Sequence, residues 1–278
     1  MIYTATSPWF YIPATVDRSA VAIADVHGRA DLLEAILSYI EQKTPSTADI
    51  IFLGDLIDRG SQSLRSMDLA KQSIPGRNTS YIAGNHEQML ICATHIQNPA
   101  SLGALVLWRE NGGHTVIEEL GIEDEVSPQK LSDALGEENL RFLHGMDNYV
   151  RNGQVLFVHG GVHPGRPLQP QLDRHIDFFF DMQNEDDDIR WVRHPWVGYD
   201  NALEDDVFVI YGHTIQRPAV PMVTICQAGI DLGAYTRGIL CAAEVSETGH
   251  IRYHFVGEYD RIEDAKRLLP GVTARYLA

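Results

Sequence analysis

Three times in its N-terminal third the chain repeats one pattern: a short apolar run, a polar cluster, then apolar residues at helical spacing. Val21-Ala22-Ile23-Ala24 leads into Asp25-Val26-His27, after which Leu32, Leu33, Ile36, Leu37 and Ile40 recur with a helical period. Ile50-Ile51-Phe52-Leu53 leads into Gly54-Asp55-Leu56-Ile57-Asp58-Arg59-Gly60 and a helix predicted over Ser61 to Gln72. Thr79 to Ala83 leads into Gly84-Asn85-His86-Glu87 and a third helical pattern. Strand, loop and helix repeated at about thirty residues per unit is the βαβ arrangement, which commits the chain to an α/β fold with a largely parallel sheet. Ligands of such sheets bind beyond the carboxyl ends of the strands, so clusters far apart in sequence are expected side by side in space.

Beyond these units the sequence predicts a helical middle from Pro99 to Met146, broken at Asn111-Gly112-Gly113, with Ser127-Pro128 as a helix start. The runs at 147–150 and 154–158 flank Arg151-Asn152-Gly153, a hairpin signal, and the second run ends in His159-Gly160-Gly161. Val207 to Tyr211 ends in Gly212-His213-Thr214, and further strands are expected near 222–231, 238–245 and 250–256. The expected architecture is two sheets packed face to face with helices outside. Residues 1–19 read as an N-terminal extension, a strand or an arm, with Trp9, Phe10 and Tyr11 packed on the body. Residues 20–278 read as a single domain, with an irregular segment at 163–206 that shapes substrate choice. That segment holds aromatics at Phe178 to Phe180, Trp191, Trp196 and Tyr199, and acidic runs at Glu185 to Asp188 and Glu204 to Asp206. These either form a groove or pack over the core and face solvent, and both options stay open. The run Asp186-Asp187-Asp188 lacks the alternating spacing of a calcium loop and reads as a solvated face.

Composition narrows the partners. Of 278 residues, 22 are Lys or Arg and 38 are Asp or Glu, for a formal charge of -16. With no basic excess, neither nucleic acid nor an anionic membrane is an expected partner. The absence of a long apolar stretch or a secretory pattern points to a cytoplasmic protein, expected to be monomeric. Cys92, Cys226 and Cys241 are scattered and read as isolated reduced thiols.

Asp25, His27, Asp55, Asn85, His159 and His213 all fall at predicted strand ends. Carboxylates, an amide oxygen and imidazoles without a thiolate suit manganese, iron or zinc. Six donors exceed one site. If one carboxylate bridges, they fill two adjacent sites of the kind that assist attack at phosphorus.

Taken in order, these motifs resemble the phosphoprotein phosphatase branch of the calcineurin-like metallophosphoesterases, above all its compact lambda-type bacterial and phage serine/threonine phosphatases. The likeness runs from about residue 20 to 245, and Glu87-Gln88-Met89, Asn111-Gly112-Gly113 and Trp191-Val192-Arg193 add to it. It implies a four-layer αββα sandwich and two divalent metal ions, manganese first, with iron or zinc as alternatives. Asp25 and His27 would hold one metal, Asp55 would bridge, and Asn85, His159 and His213 would hold the other. The implied reaction is hydrolysis of phosphoserine and phosphothreonine in a phosphoprotein or phosphopeptide, by in-line attack of a hydroxide bridging the metals. His86 would be the general acid, oriented by Asp58, while Arg59, Arg193 and Asn85 would bind the phosphate. Arg190 or Arg166 could stand in for Arg193. The alternative is a symmetrical diadenosine-tetraphosphate hydrolase, although such relatives usually read GNHD where this chain has GNHE, or a broad phosphatase acting on nucleotides or phosphotyrosine. A non-catalytic binding module with a decayed site fits poorly, since every implied ligand type is present. Asp231, after a predicted strand, is either a turn residue or a member of the site, and His163 reads as a surface histidine.

Overall fold

In a computed structural model of the chain, residues 1–174, 188–269, 271 and 273–276 are described. The predicted βαβ units are present. They comprise β3 (Ala20–Ile23), α1 (Ala30–Lys43), β4 (Asp49–Phe52), α2 (Ser63–Gln72), β5 (Thr79–Tyr81) and α3 (Asn85–Thr94), preceded by β1 (Tyr3–Thr6) and β2 (Phe10–Tyr11). Helices α4 (Ser101–Trp108) and α5 (His114–Glu119) are joined by a π-helical turn at Arg109–Gly113, and α6 spans Pro128–His144. Ser127 caps α6 by accepting from the Lys130 amide, with Pro128 at the first helical position. The second half contributes β6 (Tyr149–Asn152), β7 (Val155–Val158), α7 (Leu168–Leu172), β8 (Phe208–Tyr211), β9 (Met222–Val223), β10 (Gln227–Gly229), α8 (Ala234–Arg237), β11 (Ile239–Ser246), β12 (His250–Gly257), α9 (Tyr259–Leu268) and β13 (Thr273–Tyr276).

These strands form two mixed sheets flanked by helices. One is eight-stranded, ordered β13-β1-β12-β11-β3-β4-β5 with β2 also paired to β12, and the other is five-stranded, ordered β6-β7-β8-β10-β9. Within the first, β3, β4 and β5 run parallel, and within the second β7 and β8 do. Their apolar runs are continuous because both faces are covered. Val155, Phe157, Phe208 and Ile210 join the core between the sheets. Leu156, Val158 and Val209 face a second cluster built from Val162, Leu172, Ile189, Val192 and Trp196. Each such side chain contributes roughly 1.5–3 kcal/mol relative to exposure.

The N-terminal extension is part of the larger sheet, because β1 sits between β12 and β13. Packing of its aromatics is partial: Trp9 lies under the Arg252 guanidinium at 4.4 Å, whereas Tyr11 is 73% exposed. In 163–206, both Trp191 and Trp196 are buried, the first in the main core and the second in the cluster over the second sheet. Phe178 to Phe180 and Glu185 to Asp187 lie outside the described residues. Asp188 does not behave as a solvated acid. It is buried and pairs with the fully buried Arg190 at 2.9 Å, so a partner two residues away overrides the expectation from its charged run. Among the described residues, no helix is long and apolar enough to cross a membrane.

A polar network ties β1 to the sheet. His254 contacts Glu244 at 2.8 Å through Nε2 and Thr6 at 3.1 Å through Nδ1, and Thr6 meets the Tyr39 hydroxyl at 2.7 Å. Burial holds the His254 imidazole below its usual range despite Glu244. Burial pushes Glu244 up, but hydrogen bonds from His254 and Arg252 outweigh it and leave the carboxyl low. Both shifts act with the same sign. As pH falls below about 6.5 the unfolded chain takes up the histidine proton first, and further down it takes up the Glu244 proton first. The melting temperature is therefore expected to drop on acidification, and a His254→Gln variant should lose the upper limb of that drop. Thermal melts of both proteins from neutral to acidic pH check this, and superimposable pH profiles would contradict it.

Candidate active site

The five motifs converge where the parallel strands of both sheets end. Asp25 follows β3, Asp55 follows β4, Asn85 opens α3, His159 follows β7 and His213 follows β8. The chain turns sharply at these points. Among the described residues eight non-glycine positions have positive φ, and five of them are His27, Asp55, Asp58, Arg59 and His213. Such backbone costs on the order of 1–3 kcal/mol per residue, and its concentration here marks a site that the surrounding fold holds in place. Gly54, at φ 100°, permits one of these turns: a Cβ there would lie 2.4 Å from the Gly84 nitrogen. The motif loops are also stitched together by Glu87, whose carboxylate accepts the amides of Asp55 and Leu56 at 2.8 Å and of Gly84 at 2.9 Å. Burial and the Asp55 charge push the Glu87 carboxyl up to about 7.

Asp55 is the centre. Its Oδ2 is 3.4 Å from Nε2 of His27, 3.4 Å from Nε2 of His159 and 4.0 Å from Nε2 of His86. Two tight donor groups share it, one of His27, Asp55 and His86, the other of Asp55, His159 and His213. Asn85 adjoins the second group, with Oδ1 3.0 Å from His159 Nε2. Asp25 sits beside it, accepting the His213 amide at 2.9 and 3.0 Å. Each candidate imidazole is oriented by a backbone carbonyl. His27 Nδ1 donates to Ile57 at 2.9 Å, His159 Nδ1 to Leu53 at 2.7 Å, and His213 Nε2 to Trp191 at 3.1 Å. Fixing one nitrogen as donor leaves the other as a ligand lone pair, the usual second shell of a metal-binding histidine.

The electrostatics call for cations. Burial and Asp231 push Asp25 well above the usual carboxylate range. Asp231 itself is buried, accepts the Gly233 amide at 2.8 Å and is pushed up to about 6 by burial. It therefore fills its turn role while adding charge to the site. Burial also pushes Asp55 up, but His159 and His86 outweigh it and hold the carboxyl well below its normal range. His159, which burial alone would lower, is lifted to about 9 because Asp55 faces it. Burial drives His27 and His213 well below the usual imidazole range, and for His213 the charges of His159 and Arg193 add to this. Buried carboxylates beside imidazoles, all oxygen and nitrogen donors, fit hard or borderline divalent cations.

The remaining predicted residues form a second layer. The Nδ1 of the fully buried His86 meets Asp58 Oδ2 at 2.6 Å, while its Nε2 is buried with no hydrogen-bond partner among the described residues. Burial pushes Asp58 up against the opposing pull of His86. Arg59 donates to His27 Nε2 at 3.0 Å, is held by the Asn111 carbonyl at 3.4 Å, and lies over the Tyr235 ring at 4.8 Å. Arg193 is half-buried within electrostatic reach of His213. Arg190 is excluded as a phosphate ligand, since it is fully buried against Asp188 and Asn148. Two features lay beyond the sequence reading. Tyr235, which backs Arg59, carries no local motif. Trp108 donates to both Asp58 oxygens, and its only signal was its place just before the Asn-Gly-Gly break.

Comparison with known proteins matches this geometry. A family model described as calcineurin-like phosphoesterase covers residues 19–233. The asymmetrical bis(5'-nucleosyl)-tetraphosphatase PrpE of Oceanobacillus iheyensis is 25% identical over 236 residues, spanning 77% of this chain and 86% of that protein. A cold-active protein-tyrosine phosphatase of a psychrophilic Shewanella species superposes with a TM-score of 0.54 at 17% identity, covering 87% of this chain and 80% of that one. A protein serine/threonine phosphatase from Saccharomyces cerevisiae does so at 0.53 and 12%, covering 94% and 80%. At such identities the structural likeness shows a shared fold.

Proposed function

The chain belongs to the calcineurin-like phosphoesterases, a family of metal-dependent hydrolases, and from that premise we propose that it hydrolyses a dinucleoside polyphosphate, cleaving a bis(5'-nucleosyl) tetraphosphate asymmetrically. The phosphoester chemistry rests on one observation: two donor groups share the buried Asp55. The choice of substrate rests on the curated relatives, which align over most of their own length and carry that activity in their names. This departs from the phosphopeptide expectation and from its symmetrical alternative.

Asp25, His27 and Asp55 would hold one divalent cation, and Asp55, Asn85, His159 and His213 a second, with manganese the first choice. When bound, the cations would supply positive charge against the phosphoryl oxygens and acidify the attacking water. Arg59 would leave His27 to meet phosphate oxygens, its plane kept by Tyr235. Arg193 would add a second cation at the His213 side. His86, with Nδ1 held by Asp58, would present a proton at Nε2 to the departing oxygen.

The test is a side-by-side assay of the manganese-reconstituted protein on diadenosine tetraphosphate and on a phosphoserine peptide. AMP and ATP in equal amounts, one water consumed per cleavage, is the expected product pair. Two ADP would point to the symmetrical reaction. Phosphate release from the peptide alone would restore the protein phosphatase reading, for which residues 163–206 would shape the groove.

A further inference from the structure

The Asn111-Gly112-Gly113 motif and Trp108 before it have no part in the chemistry so far. We propose that Trp108 is the positioning residue of the acid: it fixes the Asp58 carboxylate so that His86 presents Nε2 to the leaving group. The inference rests on His86 being the general acid, and it adds the group that aims it.

The terminal torsion of an aspartate is a broad rotor, so one hydrogen bond does not set the plane of its carboxylate. Asp58 has more than one. The indole Nε1 of Trp108 donates to Oδ1 at 3.0 Å and to Oδ2 at 2.9 Å, straddling the group, while Oδ2 meets His86 Nδ1 at 2.6 Å. The Asp58 amide is pinned by Ser63 Oγ at 3.0 Å. Asp58, His86 and Trp108 all have 0% exposure, so the three are shut off from bulk solvent. Indole is donor-only, so both Asp58 oxygens accept from it, and the fixed plane of the carboxylate turns Oδ2 to the His86 Nδ1 and so sets the direction of Nε2.

The glycines explain how a tryptophan reaches that position. The π-helical turn at Arg109–Gly113 kinks at Gly112, φ 114°, and a Cβ on Gly113 would lie 2.3 Å from Cε2 of the Trp108 ring. The same turn serves Arg59, whose amide donates to the Gly112 carbonyl at 3.2 Å and whose Nε donates to that of Asn111 at 3.4 Å. One turn thus aims the acid and seats the phosphate-binding cation.

An aim-setting role and a packing role differ in how their loss depends on the leaving group. Trp108→Phe keeps the ring and removes the N–H. For the manganese-loaded protein acting on aryl phosphates, kcat for phenyl phosphate, a poor leaving group, is expected to fall about 10–100-fold, the size typical of an outer-shell partner. With dinitrophenyl phosphate, whose dinitrophenolate leaves without needing a proton, kcat should barely change, and KM should be preserved for both. Gly113→Ala, whose Cβ would lie 2.3 Å from Cε2 and 2.7 Å from Nε1 of the indole, displaces the donor and should give the same selective loss. Equal losses across leaving groups, in whichever of the two variants folds, would overturn the proposal. His86→Asn is assayed in parallel. If it steepens the leaving-group dependence and Trp108→Phe does not, the acid stands and the role of Trp108 falls. If His86→Asn shows no such dependence, the acid assignment fails and the proposal with it. The unmutated protein supplies a further readout: the Trp108 indole proton should be strongly protected from solvent exchange, and exchange as fast as that of the exposed Trp9 would contradict the geometry.

Discussion

Replacing Asp55 by asparagine is expected to cost about 10³-fold or more in turnover, the rate equivalent of the several kcal/mol that metal ions lend a phosphoryl transition state. No other residue is common to both donor groups, and its Oδ2 lies 3.4 Å from an imidazole of each. Asparagine keeps the shape and one oxygen but loses the charge that faces His159. Metal content should therefore fall with activity. In the unmutated protein, manganese at about a hundred times its dissociation constant should stabilise by roughly 2.7 kcal/mol, a rise of several degrees in melting temperature for a chain of this size. In Asp55→Asn that rise should shrink or vanish. Asp49→Asn, on the surface beside Arg18, is the control and should keep both properties. Full metal loading and full turnover in Asp55→Asn would rule out the shared-carboxylate site.

The cluster around Asp55 could be read from the chain because each of its members ends an apolar run. Strand ends at one edge of a sheet are neighbours whatever their separation in sequence, so Asp25, Asp55, Asn85, His159 and His213 were legible together. What escaped the sequence depends on contacts with no local signature. The strand Tyr3–Thr6 has no apolar alternation and is defined only by pairing with β12 and β13, at the far end of the chain. Trp108 meets Asp58 across fifty residues, through a turn whose glycines could be read as a break but not as clearance for an indole. Asp188 looked like part of a solvated run, and only Arg190 folded against it makes it a buried ion pair. Substrate choice is hardest of all. The donors around Asp55 suit any phosphoester, so the motifs themselves do not discriminate among esters.

His86→Asn is expected to lower turnover by about 10²–10⁴-fold, the range for loss of a positioned general acid. The geometry offers two roles for this imidazole, and the variant separates them. Nε2 of His86 lies 4.0 Å from Asp55 Oδ2 within one donor group, which would suit a metal ligand. Its Nδ1, however, is held by the Asp58 carboxylate, whereas the Nδ1 atoms of His27 and His159 donate to neutral carbonyls. The carboxylate on Nδ1 fixes the ring so that Nε2 is the nitrogen left to meet an alkoxide. The acid role therefore predicts that His86→Asn keeps its metal and its manganese-dependent rise in melting temperature while turnover collapses. Asp58→Asn should act in the same direction with a smaller loss, because an amide still occupies the site but is a weaker acceptor for the His86 Nδ1. If instead His86→Asn loses metal in proportion to activity, His86 is a ligand, and the proton for the leaving group must come from elsewhere.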